Sequence, residues 1–317
     1  MAFVSVFIMD PVERIDIAGD STFVLMLECQ ARGHEVLFAQ PKDLEQRGSR
    51  VFAHTQAVTM QRVRGDHVAF GAKRTLCLDD ADAVFMRKDP PFDEHYLVST
   101  WILDRVDQRH TVMVNDPQGI RDFNEKLAAL RWPEFMPPTM ISADRAQVRA
   151  FIAEHGEVVV KPLLNAGGTG IIMLKHGDRN IGSVLDLLTR EGRSMIEAQR
   201  YIPDVTQGDK RIILLNGEPL GAVNRVPAAD DIRANMHVGG RAEAIGLSER
   251  DKEICRGVGP ELARRGLVFT GIDVIGGFLT EVNVTSPTGL QEINRFDGVT
   301  LEAKIIDWVE ARRAELG

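Results

Sequence analysis

The sequence predicts a protein of mixed α/β and α+β class, in which an N-terminal parallel-sheet unit precedes a half built from strands and glycine-rich turns. An apolar strand, a capped helix and a second apolar strand follow one another between residues 3 and 40, which is the order of a parallel β-α-β unit. Beyond residue 157, short apolar runs alternate with glycine turns. The 317 residues suffice for two domains or for one elaborate domain.

The net charge and the composition limit the classes of molecule that the protein is expected to bind. The formal net charge is −8 and the pI is near 5.6, which argues against a general nucleic-acid-binding or anionic-membrane surface. No apolar run approaches the length of a membrane span, and the N-terminus lacks a basic segment followed by an apolar stretch. Cys29, Cys77 and Cys255 lie far apart and show no metal-type spacing. We therefore expect reduced, structural cysteines in a cytoplasmic protein.

Apolar runs and a helix cap define the first elements of the chain. Residues 3–9 form an apolar run typical of a buried strand. Asp20 can cap a helix that continues to about Arg32, with Gly33 as its stop. Residues 35–40 then supply the next strand of a parallel sheet. No G-x-G-x-x-G motif follows the first strand, so a nicotinamide-binding site is not supported.

A further strand, residues 83–86, runs directly into Arg87. Ligands favour the carboxyl ends of such strands, and an arginine there can grip a carboxylate bidentately. The alternative is a surface arginine paired with Asp89 or Asp93, and the residues alone do not decide between the two. Residues 111–115 complete this unit as one more strand.

A glycine-rich loop follows a predicted strand in the second half. A helix is expected from about Arg121, with Lys126 near its beginning. The strand 158–163 contains Lys161 and leads into the loop, residues 165–170. This loop joins strand to strand and lacks Gly-Lys-Ser/Thr, so it is not a P-loop, yet its backbone N–H groups can approach phosphate oxygens closely. The alternative is that this loop is a flexible hairpin turn that binds no phosphate.

A long irregular stretch, residues 227–241, separates the later elements. A loop of this length inside a compact domain more often has a function than not, so we expect a mobile lid.

Three further helices are predicted in the second half of the chain. Asp144 and Ser248 are expected to cap helices that run to about residues 155 and 265. Residues 302–315 are expected to form a C-terminal amphipathic helix.

The polar face of a predicted hairpin carries the strongest chemical signal. Two apolar-polar alternations flank a Gly-Gly pair. A three-residue loop, residues 276–278, or an equivalent bulge pairs Asp273 with Glu281 and places both carboxylates and Asn283 on one face. A two-residue turn alone would mix polar and apolar side chains. Opposed carboxylates with an amide suit Mg²⁺ or Mn²⁺, and the alternative is a solvated face without metal.

The order of these motifs resembles that of the bacterial glutathione synthetases, a family of ATP-grasp ligases. The likeness runs nearly the whole length of the chain and is carried by many short blocks in one order. One block, residues 86–93, reads Met-Arg-Lys-Asp-Pro-Pro-Phe-Asp. The other blocks lie at residues 7–11, 20–22, 32–35, 121–122, 124–127, 199–201, 208–211, 239–241, 271–276 and 279–288.

The resemblance implies an N-terminal α/β domain, residues 1–122, followed by an ATP-grasp unit whose two α+β subdomains, 123–200 and 201–317, clamp ATP beneath the mobile loop 227–241. It implies glutathione synthase activity, in which ATP drives the ligation of γ-glutamylcysteine to glycine through an acyl phosphate, and a cytoplasmic homo-oligomer, often a tetramer. The implied site residues are Lys126, Lys161, Gly167, Gly168, Gln199, Arg200, Tyr201, Ile202 and Asp209 for the nucleotide, Arg211, Arg225 and Arg233 for catalysis, Arg87, Asn235 and Gly240 for the substrate, and Asp273, Glu281 and Asn283 for Mg²⁺ or Mn²⁺.

Two stretches depart from the family pattern. Residues 164–166 read Leu-Asn-Ala in place of a glycine-containing triplet, which predicts a stiffer phosphate loop. Residues 230–238 differ from the usual lid sequence but keep Arg233 and Asn235, which predicts that closure is retained with altered kinetics. Two alternatives stay open: an ATP-grasp carboxylate–amine ligase with another amine acceptor, such as a D-alanine ligase, and a catalytically silent nucleotide-binding module.

Overall fold

The computed structural model describes residues 2–165, 167–228, 231, 233–234 and 239–317. Within these ranges the chain forms three sheets, which follow one another along the sequence and are flanked by helices. None of the helices in these ranges combines the length and the apolar character that a membrane crossing requires.

The N-terminal sheet has seven strands. They are β1 (Val4–Ile8), β2 (Glu35–Ala39), β3 (Leu44–Arg47), β4 (Arg50–Met60), β5 (Val68–Cys77), β6 (Ala83–Met86) and β7 (Val112–Val114). The order is β3-β4-β2-β1-β6-β7, with β5 paired to β4. Because β1 is parallel to both β2 and β6, the predicted parallel β-α-β unit is confirmed. The antiparallel strands β3, β4 and β5 have no counterpart among the predicted elements.

Three helices accompany this sheet: α1 (Ser21–Ala31), α2 (Glu94–Leu103) and α3 (Pro117–Asp122). Asp20 caps α1 as predicted, because its carboxylate accepts the Phe23 N–H at 2.6 Å. The prediction that Lys126 lies near the start of a helix is wrong, since α3 ends before it. The Asn124 side chain accepts the backbone N–H groups of Lys126 and Leu127 at 3.1 and 3.0 Å, and this local turn replaces a helix.

The middle sheet is antiparallel, in the order β10-β9-β11-β8. Its strands are β8 (Thr139–Ser142), β9 (Glu157–Pro162), β10 (Ile172–Lys175) and β11 (Ile196–Arg200), and its helices are α4 (Arg145–His155) and α5 (Ile181–Leu188). Asp144 caps α4 through the N–H groups of Ala146 and Gln147. The glycine-rich loop joins β9 to β10, so the predicted strand-to-strand connection is confirmed.

The C-terminal sheet has the order β14-β13-β12-β15-β16. Its strands are β12 (Asp209–Leu215), β13 (Glu218–Val226), β14 (Arg241–Ala244), β15 (Phe269–Ile275) and β16 (Phe278–Asn283), and its helices are α6 (Glu249–Arg264), α7 (Leu290–Asp297) and α8 (Leu301–Leu316). Ser248 caps α6 as predicted, in a reciprocal capping box with Asp251.

The β15–β16 hairpin has the predicted register, but its turn differs from the predicted turn. Its turn holds two residues, Gly276 and Gly277, at φ values of 55° and 79°, so the three-residue turn is wrong. A bulge at Thr280, whose hydroxyl donates to the Asp273 carbonyl at 3.1 Å, then shifts the register by one residue. Asp273 therefore pairs with Glu281, which confirms both the predicted pairing and the equivalent bulge.

The hydrophobic cores show which sheets pack together. One core extends from Ile8 of the N-terminal sheet through Phe123 and Trp132 to Ile272 of the C-terminal sheet. The middle sheet has a separate core, formed by Val148, Ile152, Val158, Val160, Leu174, Ile181, Leu185, Ile196 and Ala198. The N-terminal and C-terminal sheets thus form one packed body, and the middle sheet is stabilised mainly by its own side chains.

Candidate active site

A cleft between the middle and C-terminal sheets brings together most of the residues predicted to hold a nucleotide. Its walls include apolar side chains such as Val159, Ile171 and Ile275, and a small number of charged groups converge inside it. Apolar walls with a few converging polar groups are typical of small-molecule sites. The predicted site residues that line this cleft are Lys126, Lys161, Gly167, Gly168, Gln199, Arg200, Tyr201, Ile202, Asp209, Arg233, Asp273 and Glu281.

Lys161 projects into the cleft from β9 and is fixed by two neighbours on β11. Its Nζ donates to Glu197 Oε1 and to Gln199 Oε1, each at 3.1 Å. Gln199 is held in turn by its Nε2, which donates to Thr139 Oγ1 at 3.0 Å. Glu197, which is fully buried, is a residue that the sequence analysis missed. Its alternation with Gln199 along a strand was the available signal, but nothing in the sequence pairs that strand with Lys161.

Lys126 contacts both the glycine-rich loop, through a hydrogen bond, and the β15–β16 hairpin, through an ion pair. Its Nζ donates to Glu125 Oε1 at 2.6 Å and to the Asn165 carbonyl at 2.8 Å, and it lies 3.6 Å from Glu281 Oε1. Burial, assisted by the charge of Glu281, raises the pKa of Glu125 to about 7 although Lys126 opposes this shift. Burial lowers the pKa of Lys126, but the charges of Glu281 and Glu125 outweigh it and hold that pKa above its usual value. Lys126 is therefore a buried cation at the junction of loop and hairpin.

Two arginines and two aspartates form a buried network across three strands of the C-terminal sheet. Arg211 donates to both oxygens of Asp273, from Nε at 2.5 Å and from Nη2 at 3.0 Å. Arg225 Nη2 lies 2.5 Å from Asp209 Oδ2 and 3.0 Å from Asp273 Oδ2. Strand register produces these contacts, because Asp209 pairs with Arg225 and Arg211 pairs with Asp273. Each of the four residues is 9% exposed or less.

The two aspartates of this network differ in their proton affinity. Burial raises the pKa of Asp209 to about 6, although the charge of Arg225 opposes the shift. Burial also raises the pKa of Asp273, but there the charges of Arg211 and Arg225 prevail and hold the pKa well below its usual value. Asp273 is therefore ionised at neutral pH and holds both guanidinium groups in place.

The three predicted metal ligands lie on the same face of the hairpin. Asn283 Nδ2 donates to Asp273 Oδ2 at 3.2 Å, and Glu281 pairs with Asp273 across the strands. No group of three or more His, Cys, Asp or Glu side chains in the described ranges is arranged to hold a metal by itself. Two carboxylates and one amide do fit Mg²⁺, which keeps waters and substrate phosphates among its ligands. Asp273 differs from the expectation in that both of its oxygens are already bonded to arginines.

A second cavity adjoins the nucleotide cleft and extends to the N-terminal sheet. Arg211, Arg225, Glu281 and Asn283 line one end, and the two cavities share Glu125, Asn165, Gly167, Thr169 and Glu281. The other walls are formed by N-terminal residues such as Asp10, Arg14 and Asp89 and by the loop 285–288. A second reactant bound here would meet the nucleotide beside Glu281 and the arginine pair.

Arg87 lies beneath the loop 285–288 and lines neither cavity. It is 3% exposed, donates from Nε to Thr22 Oγ1 and from Nη2 to the Pro287 carbonyl, both at 3.0 Å, and stacks over the Phe269 ring at 4.7 Å. The described residues show no ion pair between Arg87 and either Asp89 or Asp93. Burial lowers the pKa of Arg87.

The predicted lid contributes Arg233 to the nucleotide cleft, where it pairs with Asp231 at 2.6 Å. Asn235 lies outside the described residues. Gly240 is half-buried immediately before β14 and is not among the residues that line either cavity.

Comparisons with known proteins match nearly the whole length of the chain. Residues 4–121 match the family model of the prokaryotic glutathione synthetase N-terminal domain, and residues 125–298 match that of the prokaryotic glutathione synthetase ATP-grasp domain. The glutathione synthetase of Rhodopseudomonas palustris is 48% identical over 306 residues, which is 96% of this chain and 97% of that protein. The glutathione synthetase of Brucella melitensis is 46% identical over 305 residues, with the same coverage.

Solved structures with low sequence identity share the same architecture. D-cycloserine synthetase DcsG has a TM-score of 0.67 at 16% identity, with 98% of this chain and 100% of that chain covered. A RimK domain ATP-grasp protein from Sphaerobacter thermophilus has a TM-score of 0.62 at 18% identity, with 97% and 99% covered. These likenesses establish the ATP-grasp fold, and the family matches are more specific. The chain belongs to the prokaryotic glutathione synthetase family.

Proposed function

We propose that this protein is a glutathione synthase, which uses ATP to join γ-glutamylcysteine to glycine and releases glutathione, ADP and phosphate. The observation that carries the proposal is the meeting of two cavities at Glu281, with Arg211 and Arg225 lining the second cavity, in a chain whose relatives over nearly its full length are glutathione synthetases. One cavity has the lining expected of a nucleotide site, and the other opens from its charged end.

We propose that residues 1–122 form the N-terminal domain and that residues 123–200 and 201–317 form the two ATP-grasp subdomains. The three sheets fall within these ranges, and the family models meet between residues 121 and 125. The separate core of the middle sheet also supports this division, because a subdomain with its own core can change its position without unfolding.

ATP is assigned to the cleft between the middle and C-terminal sheets. We propose that the segment 199–202 and the apolar walls surround adenine and that Asp209 also contributes to the nucleotide site, since all of these residues line the cleft. Lys126 and Lys161 bind the phosphates, supported by the backbone N–H groups of Gly167 and Gly168. Both lysines are buried and held in fixed positions by hydrogen bonds, so they require little reorganisation when the nucleotide binds.

Mg²⁺ or Mn²⁺ is assigned to Glu281 and Asn283, with Asp273 beside them. When bound, this cation would neutralise phosphate charge on ATP. Lys126 Nζ lies 3.6 Å from Glu281 Oε1, and this contact offsets part of the negative charge of the hairpin.

The first chemical step is an in-line attack of the cysteinyl carboxylate of γ-glutamylcysteine on the γ-phosphate of ATP. It forms an acyl phosphate and releases ADP. No protein nucleophile is required, since positioning and charge neutralisation supply the catalysis. Asp273 holds Arg211 and Asp209 holds Arg225, so that both arginines present positive charge in the second cavity beside Glu281. Arg87 supports this cavity from beneath the loop 285–288.

In the second step the amine of glycine attacks the acyl phosphate through a tetrahedral intermediate, which releases phosphate and leaves the peptide bond. The loop 227–241 with Arg233 is assigned the role of excluding water, which would otherwise hydrolyse the acyl phosphate. Asn235 and Gly240 are kept as substrate-side residues of that loop. A cytoplasmic location and a homo-oligomer, with a tetramer as the expected form, remain predictions. Sedimentation velocity would test the oligomeric state.

An ADP-release assay tests the proposal. The purified protein, Mg²⁺ and ATP are combined with γ-glutamylcysteine alone, with glycine alone and with both. Sustained ADP release is expected only with both. Faster release with alanine or glutamate in place of glycine would identify a different amine acceptor. The absence of ADP release with every amine tested would favour a silent nucleotide-binding module.

A further inference from the structure

A buried carboxylate lies directly beside one of the two lysines to which phosphate binding was assigned above. Glu197 is fully buried on β11, opposite Lys161 on β9. Its Oε1 accepts a hydrogen bond from Lys161 Nζ at 3.1 Å, whereas its Oε2 has no hydrogen-bond partner among the described residues. A buried carboxylate that is only partly satisfied is costly, so its presence beside a nucleotide site calls for a functional reason.

Lys161 divides its donors between the protein and the cleft. An ammonium group has three N–H donors, and Lys161 directs two of them to Glu197 and Gln199. Lys161 itself lines the nucleotide cleft, so the remaining donor is the one available to a bound ligand. The position of the ammonium group is therefore set by β11, and its positive charge is offset by a buried carboxylate that does not itself line the cleft.

The negative charge of Glu197 must also act on any anion that Lys161 binds. Phosphates in the cleft and the Glu197 carboxylate are like charges that share one ammonium group. Because Glu197 is shielded from solvent, salt and water screen this repulsion only weakly. The same carboxylate stabilises the nucleotide-free protein, in which Lys161 would otherwise be a buried cation without a counter-ion.

On the basis of the nucleotide role proposed above for Lys161, we propose that Glu197 is a positioning residue that serves as the internal counter-ion of Lys161. It holds the ammonium group in place and stabilises the empty cleft. It also weakens the binding of anionic nucleotides, so that ADP leaves the cleft more readily.

The variant Glu197→Gln separates these two effects, because glutamine keeps the shape and an acceptor for Lys161 but removes the charge. Calorimetric titration of the full-length protein with ADP should show affinity tighter by about tenfold, which corresponds to about 1.4 kcal/mol. Adenosine, which carries no phosphate, should bind the variant and the wild type equally. The melting temperature of the ligand-free variant should fall, and its increase on adding ADP should exceed that of the wild type.

A second set of variants tests the pair through stability alone. Lys161→Met leaves Glu197 buried without a counter-ion and should be strongly destabilised. Adding Glu197→Met to it should recover part of that loss, because no buried charge remains. This comparison needs no nucleotide and applies even if Glu197→Gln folds poorly.

Three results would overturn the inference: equal ADP affinity in the wild type and Glu197→Gln, an equal change for ADP and adenosine, or no recovery of stability in the double variant. Failure of the wild type to bind ADP would instead overturn the proposed function. The two failures are therefore distinguishable in one titration series.

Discussion

Asp273 is the central residue of the buried network, because its carboxylate contacts both Arg211 and Arg225. It accepts two hydrogen bonds from Arg211, at 2.5 and 3.0 Å, and lies 3.0 Å from Arg225 Nη2. Asp273→Asn keeps the size of the side chain but removes the charge that both guanidinium groups share. Arg211 would then lose its carboxylate partner, and Arg225 would keep only Asp209 among the described residues. Burial disfavours charged guanidinium groups that lack partners.

Removal of one member of a buried charge pair typically costs about 3–5 kcal/mol. Because Asp273 serves two arginines, we expect the free energy of unfolding of Asp273→Asn to fall by about 4 kcal/mol or more. Urea denaturation followed by circular dichroism measures this quantity. The matched control is Asp186→Asn, since Asp186 is 48% exposed and pairs with Arg145 at the surface. That exposed pair should contribute no more than about 1 kcal/mol.

A loss for Asp273→Asn below about 1 kcal/mol, or one equal to that of the Asp186 control, would refute the account. Such a result would mean that water or alternative partners compensate the arginines. The network would then be ordered by the strands alone and not by its central carboxylate.

Three further predictions concern metal dependence, pH dependence and thiol reactivity. Glu281→Gln should lose turnover at low Mg²⁺ and regain it with excess Mg²⁺ in a steady-state titration, and unchanged turnover at low Mg²⁺ would contradict the metal assignment. Hydrogen bonds from Arg264 and Arg265 lower the pKa of Glu261 from 4.5 to about 2. Its stabilising contribution should therefore be present above pH 4.5 and be lost as the pH falls toward 2, and Glu261→Gln should flatten the stability curve in that window. Burial raises the pKa of Cys29 to about 12, so the native protein should resist a thiol reagent at pH 8 until urea exposes its cysteines, and rapid native labelling would contradict their buried state.

Elements defined by local interactions were predictable from the sequence. Asp20, Asp144 and Ser248 cap helices where the residue pattern indicated, because a cap depends on hydrogen bonds within three residues. The same local physics explains the error at Lys126, where the Asn124 side chain captures the next backbone N–H groups and stops a helix.

The β4–β5 extension was missed, and for β5 the reason is that little of the strand is buried. Within the part of the chain that the structure describes, β5 pairs with β4 alone, and most residues of β5 are exposed. A strand that is held by one neighbour and leaves both faces partly in solvent lacks the apolar alternation on which sequence patterns depend. Its backbone hydrogen bonds to β4 position it, and the sequence pattern does not show those bonds.

In the candidate site, the hairpin register was predictable and the partners of its residues were not. Asp273 faces Glu281 because one apolar face must be buried, which the alternation of β15 and β16 already requires. The contacts of Asp273 with Arg211 and Arg225 depend on the order of strands in the sheet, which the sequence pattern does not reveal. The pairing of Glu197 with Lys161 depends on sheet order in the same way.

Isotope transfer tests the central claim most directly, namely that this site activates a carboxylate by phosphorylation. γ-Glutamylcysteine labelled with ¹⁸O in its cysteinyl carboxylate is incubated with the wild-type protein, Mg²⁺, ATP and glycine, and the released phosphate is examined by mass spectrometry. The acyl-phosphate route predicts that one ¹⁸O atom appears in each phosphate released from doubly labelled carboxylate. Product formation with unlabelled phosphate would contradict it.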